Sequence, residues 1–595
     1  MNVAGSALRA PRQGSRHWPV AGLWPLLALI AFLFFWPLAM LLVGIFRSSA
    51  PGLAGEWTVT PLARTIAAAE TWQALANSVV FATLTTAIAT TLGALFAFLA
   101  TRTTVPLRRA ITPVMLLVFA APNLLYAVSW SLLGDPGAGL LNQAVRWATG
   151  TTASPFNIFS WTGMVVVQAL KLTAFCYLLL LAPLRNMNQS FEEASFIAGA
   201  GRVATLLRID LPLLLPALFG VVIVGTLFGL GAFDIPQILG ALAGVPMLST
   251  RIYRTLGIST PPDYAGASAL GLFMMATLAL LLALQWRVLR ANRFVTVTGK
   301  AHAQEPWELG GWRHAATAAI ALYAFATLVL PGIQLVLTSF QPAIGVNRYT
   351  LANYASVFGD SQTLRAFGTT GRLAVVAGFA AMALALVMGQ AARAAPRWVQ
   401  RYLEIGALAP LMMPGVVLAL GLLWAYVSVP GLRMLYGSFW ITLIGLTVFV
   451  MPVASRAVSG ALAQLARDLE ESARIAGASA AASVRDIVLP LTWRSFLAGW
   501  LVTGVIAAGT LDIPLLLLAS HTPNVAVLVF ADMTSGVPTR ASALLVLLLS
   551  AIFLIAAAGA GLAAVVSWRQ RRRRTLGRDA AGAVSTSPHF QGAQA

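Results

Sequence analysis

The sequence predicts an all-α polytopic membrane protein, with about twelve transmembrane helices in two pseudo-symmetric six-helix halves. Three observations carry that expectation. Hydrophobic residues make up 58% of the 595 and charged residues only 10%, against about 25% charged in an ordinary globular domain. The apolar residues gather in runs of roughly 20, long enough to cross about 30 Å of hydrocarbon as a helix. Finally, a block of residues in the first half of the chain returns in the second at a constant spacing.

Taken in order, the runs fall at about 21–46, 77–100, 111–133, 161–182, 213–232 and 265–287, then at 315–338, 372–394, 403–427, 438–458, 495–518 and 541–566. Backbone in hydrocarbon must satisfy its own hydrogen bonds, so runs of this length are helices. Arg9, Arg12 and Arg16 precede the first run, which is the order of a signal peptide. An apolar core of about 7–15 residues is usual there. The stretch Val20 to Phe46 is longer, so it reads as a retained first span.

An even number of spans returns the chain to the side on which it began. Segments expected on the inner side hold 28 of the 39 Lys and Arg, and those expected outside hold 10. Basic residues concentrate on the cytoplasmic side of membrane proteins, so both termini are expected there. That distribution also accounts for the net charge of +20 without nucleic acid. Basic residues cluster between apolar runs, and Arg571–Arg574 reads as a stop-transfer and headgroup anchor.

The domain reading follows. Residues 1–20 form a cytoplasmic tail, 21–287 a first repeat of six spans, 288–314 a polar linker, 315–566 a second repeat and 567–595 a basic cytoplasmic tail. The single cysteine, Cys176, excludes an internal disulfide and any CxxC site.

The internal repeat is specific. Residues 192–212 read EEASFIAGAGRVATLLRIDLP and residues 470–490 read EESARIAGASAAASVRDIVLP. Glu192, Glu193, Ile197, Ala198, Gly199, Ala200, Leu211 and Pro212 return 278 positions later as Glu470, Glu471, Ile475, Ala476, Gly477, Ala478, Leu489 and Pro490. The register continues without a gap from Gly231, Asp234, Ile235 and Pro236 to Gly509, Asp512, Ile513 and Pro514. Generic apolar helices share Leu and Ala by chance, but not acidic pairs, glycines and prolines in one register.

Each copy falls in a loop between the fourth and fifth spans of its half, expected on the cytoplasmic side. Its pattern is E-[AS]-[AS]-x3-G-x9-I-x-L-P, with Ile209 and Ile487 at the isoleucine position. This describes a short helix, a glycine reversal and a second short helix. Val203, Leu206, Leu207 and Ile209 set against Arg202, Arg208 and Asp210 make the second helix amphipathic. Pro212 is expected at the start of the next membrane helix, where a missing N–H costs nothing.

The doubled motif resembles the EAA loop of binding-protein-dependent ABC importer permeases, with Glu193-Ala194-Ser195 in one copy and Glu471-Ser472-Ala473 in the other. In that family the loop is a coupling helix, which enters a cleft on a cytoplasmic ATPase. The resemblance implies ATPase-coupling roles for Glu192, Glu193, Ala194, Gly199, Ile209, Leu211 and Pro212, and for Glu470, Glu471, Ala473, Gly477, Ile487, Leu489 and Pro490. It implies two copies of an ATP-binding subunit, a periplasmic or lipid-anchored solute-binding protein, and a place in the bacterial inner membrane surrounded by lipid. Alternating access is the implied mechanism. Fused two-repeat members of this length resemble ferric-iron importers, with thiamine and 2-aminoethylphosphonate permeases as near relatives.

The chain itself is not expected to be an enzyme or to hold a cofactor. A P-loop needs G-x4-G-K-[ST]. Lys171 follows Leu170, and Lys300 follows Gly299 but precedes Ala301. ATP and Mg²⁺ are therefore assigned to the partner subunits. The histidines are His17, His302, His314, His521 and His589, and only His521 is expected outside. A metal cage built by this chain is not expected. The rival class is an ion-coupled secondary transporter, which shares the span count. It leaves unexplained why the best-preserved segments are loops rather than intramembrane polar sites.

Further candidates lie along the translocation pathway. Asp234 and Asp512 each precede Ile-Pro at the outer end of a span. They read either as helix-end residues in a turn or as an acidic pair at the pathway mouth. Lys171, in mid-span, reads either as a buried counter-ion or as a snorkelling side chain. Pro122 and Pro414 interrupt the third and ninth spans, as hinges or static kinks.

Overall fold

Long apolar helices dominate the computed structural model, which describes residues 20–187, 190–257, 260–291, 307–465, 467–519, 522–555 and 557. The expected N-terminal tail, most of the linker, the basic tail with Arg571–Arg574, and His17, His302, His521 and His589 lie outside the described residues. Among the described residues the extended pairings are three isolated bridges.

The first half contains α1 (Trp24–Ile45), α2 (Ala69–Arg102), α3 (Arg108–Ala120), α4 (Asn123–Leu133), α5 (Trp161–Asn186), α6 (Ser190–Ile197), α7 (Arg202–Leu230) and α8 (Tyr264–Ala291). The second contains α9 (Trp312–Phe340), α10 (Ser361–Ala394), α11 (Arg397–Met412), α12 (Gly415–Val427), α13 (Phe439–Ala463), α14 (Arg467–Ile475), α15 (Ala481–Gly509), α16 (Asp512–Leu517) and α17 (Pro538–Ile555). Ten of these helices are long and apolar enough to cross a membrane. The pairs α3–α4 and α11–α12 are bent by 96° and 113°. Taking each bent pair as one broken span gives the expected twelve.

The halves match closely. Helices α2 and α10 are both 34 residues long and start 292 positions apart. From α5 and α13 onward the offset is 278. A longer connection in the first half, with its own helix Leu140–Thr149, accounts for the change. In each half the second span packs on the fourth and fifth, α2 against α5 and α7, α10 against α13 and α15. The first spans cross over: α1 packs on α12 of the second half, and the end of α9 packs on α4 of the first.

Lipid tails are as apolar as leucine, so burial of large aliphatics does not drive these contacts; small residues that allow close approach do. Helix α2 shows this directly. Val80, Leu84, Ile88 and Leu95 point outward, while Ser78, Ala82, Thr85, Thr86, Ala89 and Gly93 are buried. Thr85 Oγ1 donates to the Phe81 carbonyl at 2.7 Å, which satisfies the hydroxyl inside the helix. A Cβ on Gly93 would meet Cys176 and the Tyr177 backbone at 2.9 Å.

Two expected boundaries are corrected. The fifth and eleventh spans begin at Arg202 and Ala481, well before 213 and 495, because the helices run through their prolines. Pro212 and Pro490 therefore lie inside continuous helices. Each follows a π segment by two residues, Leu206–Asp210 and Val484–Val488. The wider turn removes the i−4 carbonyl clash that proline imposes on an α-helix.

Candidate functional site

The two copies of the repeated motif fold alike. Helix α6 ends where Ala198 N donates to Ala194 O at 3.0 Å and Ala200 N to Ser195 O at 3.0 Å. In the second copy Ala476 N donates to Ser472 O at 3.0 Å and Ala478 N to Ala473 O at 2.9 Å. Between these bonds Gly199 and Gly477 take φ of +82° and +91°, the left-handed region where a Cβ is strained. A Cβ at either would meet nothing within 4 Å. Glycine is thus required by backbone conformation, not by space within the chain.

Each loop carries an exposed apolar residue. Ile197 and Ile475, 278 positions apart, are both 88% exposed. The amphipathic expectation for the second short helix is reversed in part, because Val203 and Leu207 are exposed while Asp210 is buried. An inward apolar face is not needed where Thr205 and Asp210 already fill the interior. Ile209 is half-buried, and Leu211 and Pro212 are exposed, as is Leu489. Val488 is buried just beside Ile487.

The acidic pair divides its work. Glu192 is buried and accepts from Arg102 Nη1 at 2.7 Å, while Glu193 is exposed. Arg102 Nη2 also donates to the Leu184 carbonyl at 3.1 Å, so the end of α2 ties to both flanks of the loop. In the second half Arg393 pairs with Glu470 at 2.9 Å. That pair is less enclosed and borders a cleft of about 420 Å³ between α10, α11 and α13. Asp210 sits beside the first pair, and Val488 occupies its counterpart. Arg102 and Arg393 were missed by the motif reading. An arginine at the end of each 34-residue helix was the available signal.

Lys171 is neither a carboxylate's counter-ion nor a snorkelling side chain. It is buried, and its Nζ donates to the carbonyls of Val118 at 2.5 Å, Phe119 at 2.9 Å and Ala121 at 2.6 Å. These are carbonyls left without helical partners where α3 breaks before Pro122. Asp234 and Asp512 lie past the ends of α7 and α15, in the interior beside the helix breaks. A Cβ on Gly231 would meet Pro414 at 3.4 Å, one on Gly509 would meet Pro122 at 2.4 Å, and one on Gly415 would overlap the Asp512 carboxylate. Gly231 and Gly509 thus abut the broken helix of the other half, while Gly415, at the break itself, meets Asp512 of its own half. Asp234 is buried, within electrostatic reach of Asp512. Among the described residues no group of three or more His, Cys, Asp and Glu could hold a metal ion.

A family model described as "Binding-protein-dependent transport system inner membrane component" matches residues 89–293 and again 374–572. A protein named as an ABC transporter permease in Sinorhizobium fredii is 29% identical over 344 residues, 56% of this chain and 59% of that protein. A ferric transport system permease protein of Actinobacillus pleuropneumoniae is 27% identical over 358 residues, 59% of this chain and 51% of the relative. The chain thus spans between half and three-fifths of the length of these two relatives. A trehalose/maltose transport system permease protein of Thermococcus litoralis is 30% identical over 245 residues, 39% of this chain and 78% of the relative. Among solved structures, a bacterial alginate ABC transporter with its periplasmic protein gives a TM-score of 0.39 at 18% identity, over 47% of this chain and 96% of that one.

Proposed function

We propose that this chain, which belongs to the binding-protein-dependent transport system inner membrane components, is the permease of an ATP-driven importer in a bacterial inner membrane. Cargo arrives on a separate solute-binding protein. Two copies of a cytoplasmic ATP-binding subunit close on ATP and Mg²⁺, and their closure moves the loops at 192–212 and 470–490. The helices then alternate between outward and inward openings. The observation that carries this reading is the matched pair of loops, with the same reversal and the same exposed isoleucine 278 residues apart. Ile197, Val203 and Leu207 offer an apolar surface of the kind a protein partner covers.

Ferric iron is the cargo this reading favours, supported by the ferric transport relatives of Haemophilus influenzae and Actinobacillus pleuropneumoniae. The buried Asp234, within electrostatic reach of Asp512, suits a cation, because an entering cation offsets the cost of ionising two carboxyls buried together. The coupling assignment is tested with the Gly199→Arg, Gly477→Arg double variant. It should accumulate in the membrane, fail to retain the ATPase in pull-down, and lose uptake. Normal uptake overturns the assignment.

A further inference from the structure

The segment joining the two halves makes contacts that the transport reading leaves unused. Trp307 N donates to the Arg102 carbonyl at 2.7 Å, and Thr104 N donates to the Trp307 carbonyl at 3.2 Å, forming a short parallel bridge at the end of α2. The indole stands edge-on to Phe98 of α2, with centroids 5.4 Å apart, and packs against Phe196 of α6 at 6.3 Å. The next residue continues the grip, because Arg202 Nη1 donates to the Glu308 carbonyl at 2.6 Å. Leu309 then packs on the core, and α9 begins at Trp312. Three residues thus touch the end of α2, both arms of the first loop and the start of the second half.

The grip converges on the residue that holds Glu192. Trp307 binds the main chain of Arg102, whose side chain binds Glu192. The second loop lacks the matching rings: Gly389 stands as far before Arg393 as Phe98 stands before Arg102, and Arg474 occupies the counterpart of Phe196. We propose that Trp307–Leu309 is a clasp that positions the first loop, making it the stiffer of the two and tying it to the first span of the second half. Trp307 is a positioning residue, acting through Phe196 and Arg102. An aromatic pair favours edge-to-face geometry beyond simple area burial, so the indole fixes the angle of α6 as well as its distance. The consequence for transport rests on the coupling role proposed above; the positioning itself does not.

The experiment uses the full chain in a Cys176→Ser background, assembled with its ATPase and binding protein. Spin labels are placed at Ile197→Cys or Ile475→Cys, both exposed on the chain, with spectra recorded before the ATPase is added and hydrolysis measured on the unlabelled assembly. Trp307→Ala should give a mobile spectral component at 197, leave 475 unchanged, and raise the ATP hydrolysed per cargo by about threefold, the size of one lost aromatic pair. Trp307→Phe should restore both readouts. Arg202→Gln, which removes only the bond to Glu308, should shift the spectrum at 197 in the same direction by less. An unchanged spectrum at 197 in both Trp307→Ala and Arg202→Gln, or an equal change at 475, overturns the clasp. The Gly199→Arg, Gly477→Arg variant separates the two readings: retention of the ATPase there overturns the coupling role alone.

Discussion

Lys171 shows what a single side chain does for a broken helix. A break inside hydrocarbon leaves carbonyls that water cannot reach, and each buried group without a partner costs about 1–3 kcal/mol. One ammonium with three donors serves Val118, Phe119 and Ala121 together. The second half solves the same problem differently. Phe449 stands at the counterpart position, and the chain before Pro414 tightens into the 3-10 turn Ala409–Met412, with Met413 N donating to Pro410 O at 3.1 Å. Lys171→Met keeps the length and removes the donors. It should lower the melting temperature of the purified chain in detergent by several degrees, while Phe449→Met, an apolar exchange, should cost less than about 1.5 kcal/mol. Equal losses would show that the three bonds contribute nothing. The lysine stood out in the sequence, but its partners did not, because unpaired carbonyls are created by the break and carry no residue signature.

At the scale of elements, proline is the recurring theme. Segments Ala31–Phe35, Leu206–Asp210, Phe325–Val329 and Val484–Val488 are all π turns, and each lies two residues before a proline: Pro37, Pro212, Pro331 and Pro490. In a soluble protein Pro212 would mark a helix start, because chain breaks there can be solvated. In a membrane the cheaper course is to widen one turn and continue. Pro122 and Pro414 do break their helices, and the bends of 96° and 113° are where the opposite half inserts a glycine. Glycine also sets the crossing of α1 over α12. A Cβ on Gly44 would lie 2.4 Å from the Trp424 ring, which is held by its Nε1–H donating to Ser268 Oγ at 3.0 Å. Gly44→Val should therefore cost about 1–3 kcal/mol by overpacking and lower the yield of folded protein. Gly220→Val, where a Cβ meets nothing within 4 Å, serves as the control. Similar yields would mean that the crossing tolerates looser packing.

For the whole molecule, the two halves were legible because their acidic pairs, glycines and prolines recur in one register. The crossing of the first spans was not legible, since α1 and α9 carry apolar faces that would suit either half. Sidedness has a direct test: with Cys176 replaced, cysteines at Ser195 and Ser479 should react with maleimide only when the inner face is open. Labelling of either from outside in intact cells would overturn the topology. The seam between the halves yields the sharpest test of cargo. Gly231 and Gly509 each lean on the other half's break, which brings the downstream Asp234 and Asp512 to the same interior region from opposite sides. Ionising two carboxyls buried together is costly; a cation entering between them offsets that cost and an anion does not. Asp234→Asn with Asp512→Asn should reduce uptake of radiolabelled iron while the protein stays folded and bound to its ATPase. Uptake of a phosphonate in the same strains should be unaffected or raised. If neither uptake changes, the aspartates are helix-end residues ahead of a proline, and the preference for a cationic cargo loses its basis in this chain.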